Sequence, residues 1–146
     1  MALYRSAYGL RQATSPMPFQ AGDVMWADFF YSFASVGLLT TDKLELGLLP
    51  AGCQIVDAIL MPESLNGNAS IGIMSGEAGL NDAARTVGAE LWSASAVAST
   101  PARLALLTGF KLGVANVDRG IGYTTSADIV AGAGKQVTLR LFYSMP

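Results

Sequence analysis

Two glycine-rich stretches of this 146-residue chain invite a phosphate-binding reading, and both fail on spacing. Gly134-Lys135 resembles the end of a Walker A loop, whose backbone N–H groups and lysine cradle phosphates. That loop needs glycine at 129 and serine or threonine at 136, where this chain has Ile129 and Gln136. Gly120-Ile121-Gly122 starts a dinucleotide fingerprint, but Thr125 stands where the third glycine belongs and no strand-to-helix junction follows. These glycines fit turns and bulges instead. A serine nucleophile fails in the same way, because Gly72 and Ser75-Gly76 lack the spacing of the G-x-S-x-G elbow.

The chain has no histidine. That excludes a Ser/His/Asp triad, a Cys/His pair, an imidazole proton shuttle and histidine-ligated metals. The single cysteine, Cys53, permits neither an internal disulfide nor a cysteine-based zinc site, and it reads as a small core hydrophobe. Paired carboxylates can hydrolyse glycosides without histidine, and Asp57, Glu63, Glu77, Asp82 and Glu90 are the candidates. Nothing in their spacing sets two of them across a cleft. Asp82, Asp118 and Asp128 lack the clustered oxygens of a calcium loop. The expectation is a non-enzymatic protein with no cofactor and no metal.

The elements that must carry any function are short. From Val24 onward, β-type runs alternate with glycine- and proline-containing turns. Val24–Ala34 sets Trp26, Asp28, Phe30 and Ser32 on one parity, with Met25, Phe29, Tyr31 and Phe33 nearer the other. Lys43–Leu49 alternates cleanly, and Cys53–Met61 has the β-branched composition of a central strand. Ala69–Ser75, Glu90–Trp92, Arg103–Lys111, Arg119–Thr125 and Gln136–Ser144 complete about eight strands. Within the alanine-rich stretch 76–98, Asn81–Arg85 predicts a short capped helical turn. No long helical pattern intervenes, so the fold class is all-β: an antiparallel β-sandwich, jelly-roll-like. Residues 23–146 form this single domain. Residues 1–22 read as an extended N-terminal arm, with Arg5 and Arg11, no acid before Asp23, and Pro16 and Pro18 forcing extended backbone.

Charge is scarce. Charged residues make up 14% of the chain against about 25% in ordinary soluble domains, while hydrophobic residues reach 51% and mean hydropathy is +0.40. A net charge of −2 leaves no broad basic face for nucleic acid. The charge-free run Phe29–Thr41 is too short to span a bilayer, and the opening stretch lacks the apolar core of a secretory signal. The expectation is no nucleic acid and no membrane. Twelve serines, nine threonines, four asparagines and four glutamines cover surface without charge. Such surfaces suit packing against copies of the chain or a partner, because charged residues are depleted from the centres of interfaces.

Candidate anchors for such contacts are Tyr4, Arg5, Tyr8, Arg11 and Phe19 on the arm, with Trp26 and Trp92 in the body. Asp57 interrupts an apolar strand. It shares a parity with Ile55 and Ile59, and reads as an acid on a partly solvated face or one paired with an arginine such as Arg140; an ion pair between subunits is the other reading.

Several stretches together resemble the small virion structural proteins of tailed bacteriophages. They are Leu49-Pro50-Ala51-Gly52, Ile55-Val56-Asp57-Ala58-Ile59-Leu60, Ile73-Met74-Ser75-Gly76, the run from Asp82 to Glu90, and Arg119-Gly120-Ile121-Gly122-Tyr123 with the closing strand through Tyr143. The likeness spans roughly residues 24 to 144, leaves the arm outside, and is nearest to the capsid cement, or decoration, proteins of short-tailed phages. The resemblance implies a jelly-roll-like fold, a place on the outer surface of the mature capsid, and the major capsid protein as partner. It also implies self-association, a homodimer first and a trimer as the open alternative. Other virion parts (head completion or fibre base) and a small carbohydrate-binding jelly roll are the competing readings.

Overall fold

A computed structural model describes residues 1–97 and 99–146. Its elements are β1 (Leu3–Arg5), β2 (Val24–Ser32), β3 (Lys43–Leu49), β4 (Gln54–Glu63), β5 (Asn68–Ile73), β6 (Trp92–Ala96), β7 (Ala102–Arg103), α1 (Leu107–Phe110), β8 (Arg119–Thr125) and β9 (Gln136–Ser144). They form two sheets, one ordered β1-β3-β8-β5-β6 and the other β2-β9-β4-β7. Every pairing is antiparallel except β1 with β3, so the predicted all-β, jelly-roll-like sandwich is the fold observed.

Alternation builds the core. Ala27 and Phe29 of β2, Ala58 and Leu60 of β4, and Val137, Leu139, Leu141 and Tyr143 of β9 point inward from the smaller sheet. Leu44, Leu46, Ile71, Ile121 and Tyr123 meet them from the larger one. Cys53 joins this core, and burial pushes its thiol pKa up.

Three sequence expectations shift. The run 103–111 holds only the end of the two-residue β7 and the one-turn α1, because Leu107 and Phe110 face solvent and no partner strand continues there. The strand expected at 90–92 starts at Trp92, since Glu90 turns its side chain back to accept the Ile73 N–H at 2.9 Å. Asn81–Arg85 is a turn rather than a helix: the Asp82 carboxylate accepts the Ala84 N–H at 2.9 Å, an Asx-type closure. Ala98, the last residue of the alanine-rich stretch, lies outside the described residues.

Residues 1–22 lie against the sandwich. β1 adds to β3, the Ser6 N–H reaches Glu45 O (2.9 Å), and the Ser15 hydroxyl donates to Leu48 O (3.0 Å). Tyr8 packs edge-on against Phe29, ring centroids 4.6 Å apart, and the Tyr143 hydroxyl donates to Pro16 O. The aromatic and serine content of the segment gives it these internal partners. Phe19, beyond them, is 93% exposed.

Candidate interaction surface

The outer face of the larger sheet is covered by the chain itself. The loop between β5 and β6 folds over β3 and β8, pinned by an ion pair with both side chains almost wholly buried. Arg85 donates to both Glu45 oxygens at 2.9 and 3.0 Å, to Ser75 O at 2.7 Å and to Leu80 O at 3.0 Å. Glu45 also accepts the Gly79 N–H at 3.0 Å, so the charges and most of their hydrogen-bonding groups are satisfied away from water. Gly120 and Gly122 lie within β8. A Cβ at 120 would sit 2.2 Å from a Glu45 oxygen, and one at 122 would sit 2.6 Å from Val87. The glycines that mimic a dinucleotide fingerprint are therefore close-approach sites for the Glu45–Arg85 pair and the covering loop rather than turns, and Gly122 pairs with Glu45 where β3 bulges.

The arm's charges serve the same cover. Arg5 donates to Gly79 O (3.1 Å), and Arg11 donates to Ala78 O and to Asp118, both at 3.0 Å. Tyr4 and Tyr8 are half-buried against the core. Trp92 is buried in it. A depression is lined by Arg11, Glu77, Asn116 and Asp118, of which Arg11 and Asp118 are paired with each other at 3.0 Å.

Among the described residues, the outer face of the smaller sheet has no such cover. Register aligns it in rows: Trp26, Phe142 and Asp57; then Asp28, Arg140, Ile59 and Arg103; then Phe30, Thr138 and Met61. Val24, Trp26 and Phe30 are about half exposed at its β2 side. Among the candidate anchors, only Trp26 and Asp57 come together on this face. Arg140 forms a two-pronged pair with Asp28, 2.8 Å on each prong, and its guanidinium lies 4.6 Å from the centre of the Trp26 ring. The hydrogen bond to Asp28 raises the Arg140 pKa, so this charge is fixed at every physiological pH.

Asp57 pairs with Arg103, not Arg140 (Arg103 Nε to the carboxylate, 2.7 Å). The cause is a bulge in β4 between Ile55 and Asp57, which sends Ile55 into the core while Asp57 and Ile59 face outward. Alternation at period two groups Ile55 with Asp57 and so puts Ile55 on the wrong side, whereas Asp57 lies on the partly solvated face expected for it, with Arg103 rather than Arg140 as its partner. Asp28, Phe30 and Phe142 were the residues it undervalued, although the even parity of 24–32 already grouped the first two with Trp26. The face is aromatic and aliphatic, dotted with internally neutralised ion pairs. That composition suits a protein contact. Among the described residues no cluster of three or more potential metal-ligating side chains occurs, and no helix is long and apolar enough to cross a membrane.

Comparison with known proteins finds no matching family model and no matching curated protein. Solved structures do match. A chain of the capsid of Ralstonia phage GP4 superposes with a TM-score of 0.92 at 32% identity, covering 99% of both chains. A chain of the capsid asymmetric unit of cyanophage Pam1 matches at TM-score 0.57 and 18% identity over 93% of this chain and 96% of that one. A chain of the acid-stable capsid of Helicobacter pylori bacteriophage KHP30 matches at 0.52 and 13%, over 87% and 91%. At those identities the last two attest to the fold alone.

Proposed function

Since the chain belongs to the family of the Ralstonia phage GP4 capsid chain, a virion structural family, we propose that it is a capsid cement (decoration) protein. It binds the outside of the mature shell, touches neighbouring major capsid subunits, and performs no catalysis. The supporting observation is family membership over the whole chain, joined to an outer sheet face that is aromatic and uncovered. A clamp that buries this face only against the mature arrangement of subunits stabilises that arrangement by mass action. The clamp must be rigid, and the pinned loop and docked N-terminal segment supply that rigidity. Self-association, as a homodimer first, lets one clamp reach two subunits at once.

The test mixes the purified chain with undecorated expanded heads and images them. The expected result is ordered density in hundreds of copies outside the shell, and a rise in the temperature at which heads rupture. A dozen copies at one vertex would instead identify a head-completion or fibre-base part. Removal of residues 2–20 tests the N-terminal segment, with weakened decoration as the expected outcome.

A further inference from the structure

The two sheets end in four edge strands, and three of them are poor templates for another strand. β1 has three residues and β7 has two. β6 has five, with a register shift against β5 and left-handed backbone at Ala94 (φ 44°). β2 differs. Its nine residues pair with nine consecutive partners on β9, without a bulge, proline or glycine.

The register shows which backbone groups β2 leaves over. Phe33 donates its N–H to Lys135 O at 2.8 Å, one step beyond the Ser32–Gln136 pair. Residues facing the partner alternate in an antiparallel ladder, so Tyr31, Phe29, Ala27 and Met25 also turn toward β9. Trp26, Asp28 and Phe30 therefore aim N–H and C=O away from the sheet, and among the described residues nothing bonds to them. A long, regular edge with free donors and acceptors, flanked by half-exposed aromatic rings, is a pairing site.

We infer that β2 pairs antiparallel with β2 of a second copy about a two-fold axis, joining the two smaller sheets into one eight-stranded sheet. The inference rests on the self-association proposed above and assigns its surface. Centred on Asp28, the pairing puts Trp26 of each copy opposite Phe30 of the other, and Val24 opposite Ser32. Cross-strand aromatic pairs of this kind stabilise a sheet. The two Asp28 carboxylates then face one another, a charge arrangement that ordinarily guards an edge. Here each is held by its own Arg140, and the row Arg-Asp-Asp-Arg carries no net charge. Registers displaced by two residues set an aromatic ring opposite Asp28 instead. A two-fold contact uses the same strand from both copies, closes, and leaves neither β2 edge free.

The full-length chain is tested by sedimentation equilibrium, with circular dichroism confirming that each variant is folded. The unaltered chain is expected at twice its 15.2 kDa mass. The Trp26→Lys/Phe30→Lys variant is expected at a single chain mass, its dimer weakened at least tenfold, while Leu80→Lys, exposed on the loop that covers the larger sheet, stays dimeric. In a Cys53→Ser background, the Val24→Cys/Ser32→Cys variant treated with diamide is expected to give a covalent dimer, because opposed strand residues lie within disulfide reach. A dimer that persists in the lysine variant, or that fails to cross-link, overturns the β2 assignment and leaves self-association standing. An unaltered chain that sediments singly overturns both. In that case, loss of head decoration by the folded lysine variant would assign the edge to an extended capsid segment. The cement reading itself is judged separately, by decoration of heads.

Discussion

The two outer faces of this sandwich begin from the same strand chemistry and end differently. On the larger sheet, a carboxylate in β3 and two glycines in β8 draw a loop down onto the strands, and Glu45 with Arg85 is sealed beneath it. On the smaller sheet, Asp28 with Arg140 lies in the open, among aromatic rings that none of the described residues covers. One ion pair belongs to the chain's interior architecture, and the other is displayed. The difference teaches that the scarcity of charge has two destinations: internal cover on one side, contact surface on the other.

The comparison predicts unequal costs. Arg85→Ala strands Glu45 in a sealed site and removes the bonds that hold Ser75 and Leu80, so it should cost about 3–5 kcal/mol in chemical denaturation. Arg140→Ala exposes Asp28 to water that already reaches it, and the denaturation midpoint should barely move. Equal losses at the two sites would dissolve the distinction between the faces.

Packing beneath the cover gives the next effect. Gly122→Ala places a methyl group 2.6 Å from Val87 and 2.7 Å from Met74, which the loop must lift to admit. Overpacking of this kind should cost about 1–3 kcal/mol, and hydrogen exchange should quicken in residues 74–90 before it does in β9.

Much of this contrast was legible from alternation, and the remainder depended on contacts distant in sequence. Lys43–Leu49, Arg119–Thr125 and Gln136–Ser144 carried their strand bounds openly, because their side chains alternate at period two. The even parity of Val24–Ser32 already collected the exposed row of β2. The Glu45–Arg85 pair spans 40 residues and has no local signature. The β4 bulge reverses Ile55 relative to Asp57, and Arg103 lies 46 residues from Asp57 in sequence, so counting by twos does not find it. Arg5 and Arg11 read as charges free for a partner because the carbonyls that bind them lie more than 60 residues away.

A smaller effect at neutral pH separates the core's two buried tyrosines. Burial pushes the Tyr123 hydroxyl up to about 12, and that hydroxyl has no hydrogen-bond partner among the described residues, whereas Tyr143 donates to Pro16 O. Tyr123→Phe removes an unsatisfied group and should leave stability at pH 7 unchanged or slightly raised. The pH dependence has a definite sign. The unfolded chain loses this proton near pH 10 and the folded chain near 12, so Tyr123 weakens the fold progressively as pH rises between them. Its share at pH 11 is about 1 kcal/mol, and Tyr123→Phe should lose that much less there. A variant whose alkaline unfolding matched the parent would show that Tyr123 is not the group that titrates.

The smallest stability change is expected where the functional change is largest. Phe30 is about half exposed on the open face, with Thr138 as its nearest cross-strand neighbour. Phe30→Ser should therefore shift folding stability by less than about 1 kcal/mol, within the range of surface substitutions. If that face meets a partner, the same change removes a central aromatic anchor from a desolvated contact, where truncation commonly costs 2 kcal/mol or more of binding, about 30-fold in affinity. Titrating undecorated heads with the Phe30→Ser chain, beside a denaturation curve of the same preparation, measures both quantities at once. Weak folding with intact decoration would place Phe30 in the chain's own architecture. Intact folding with lost decoration would make the open face the working surface, since only contact with something outside the chain separates the two.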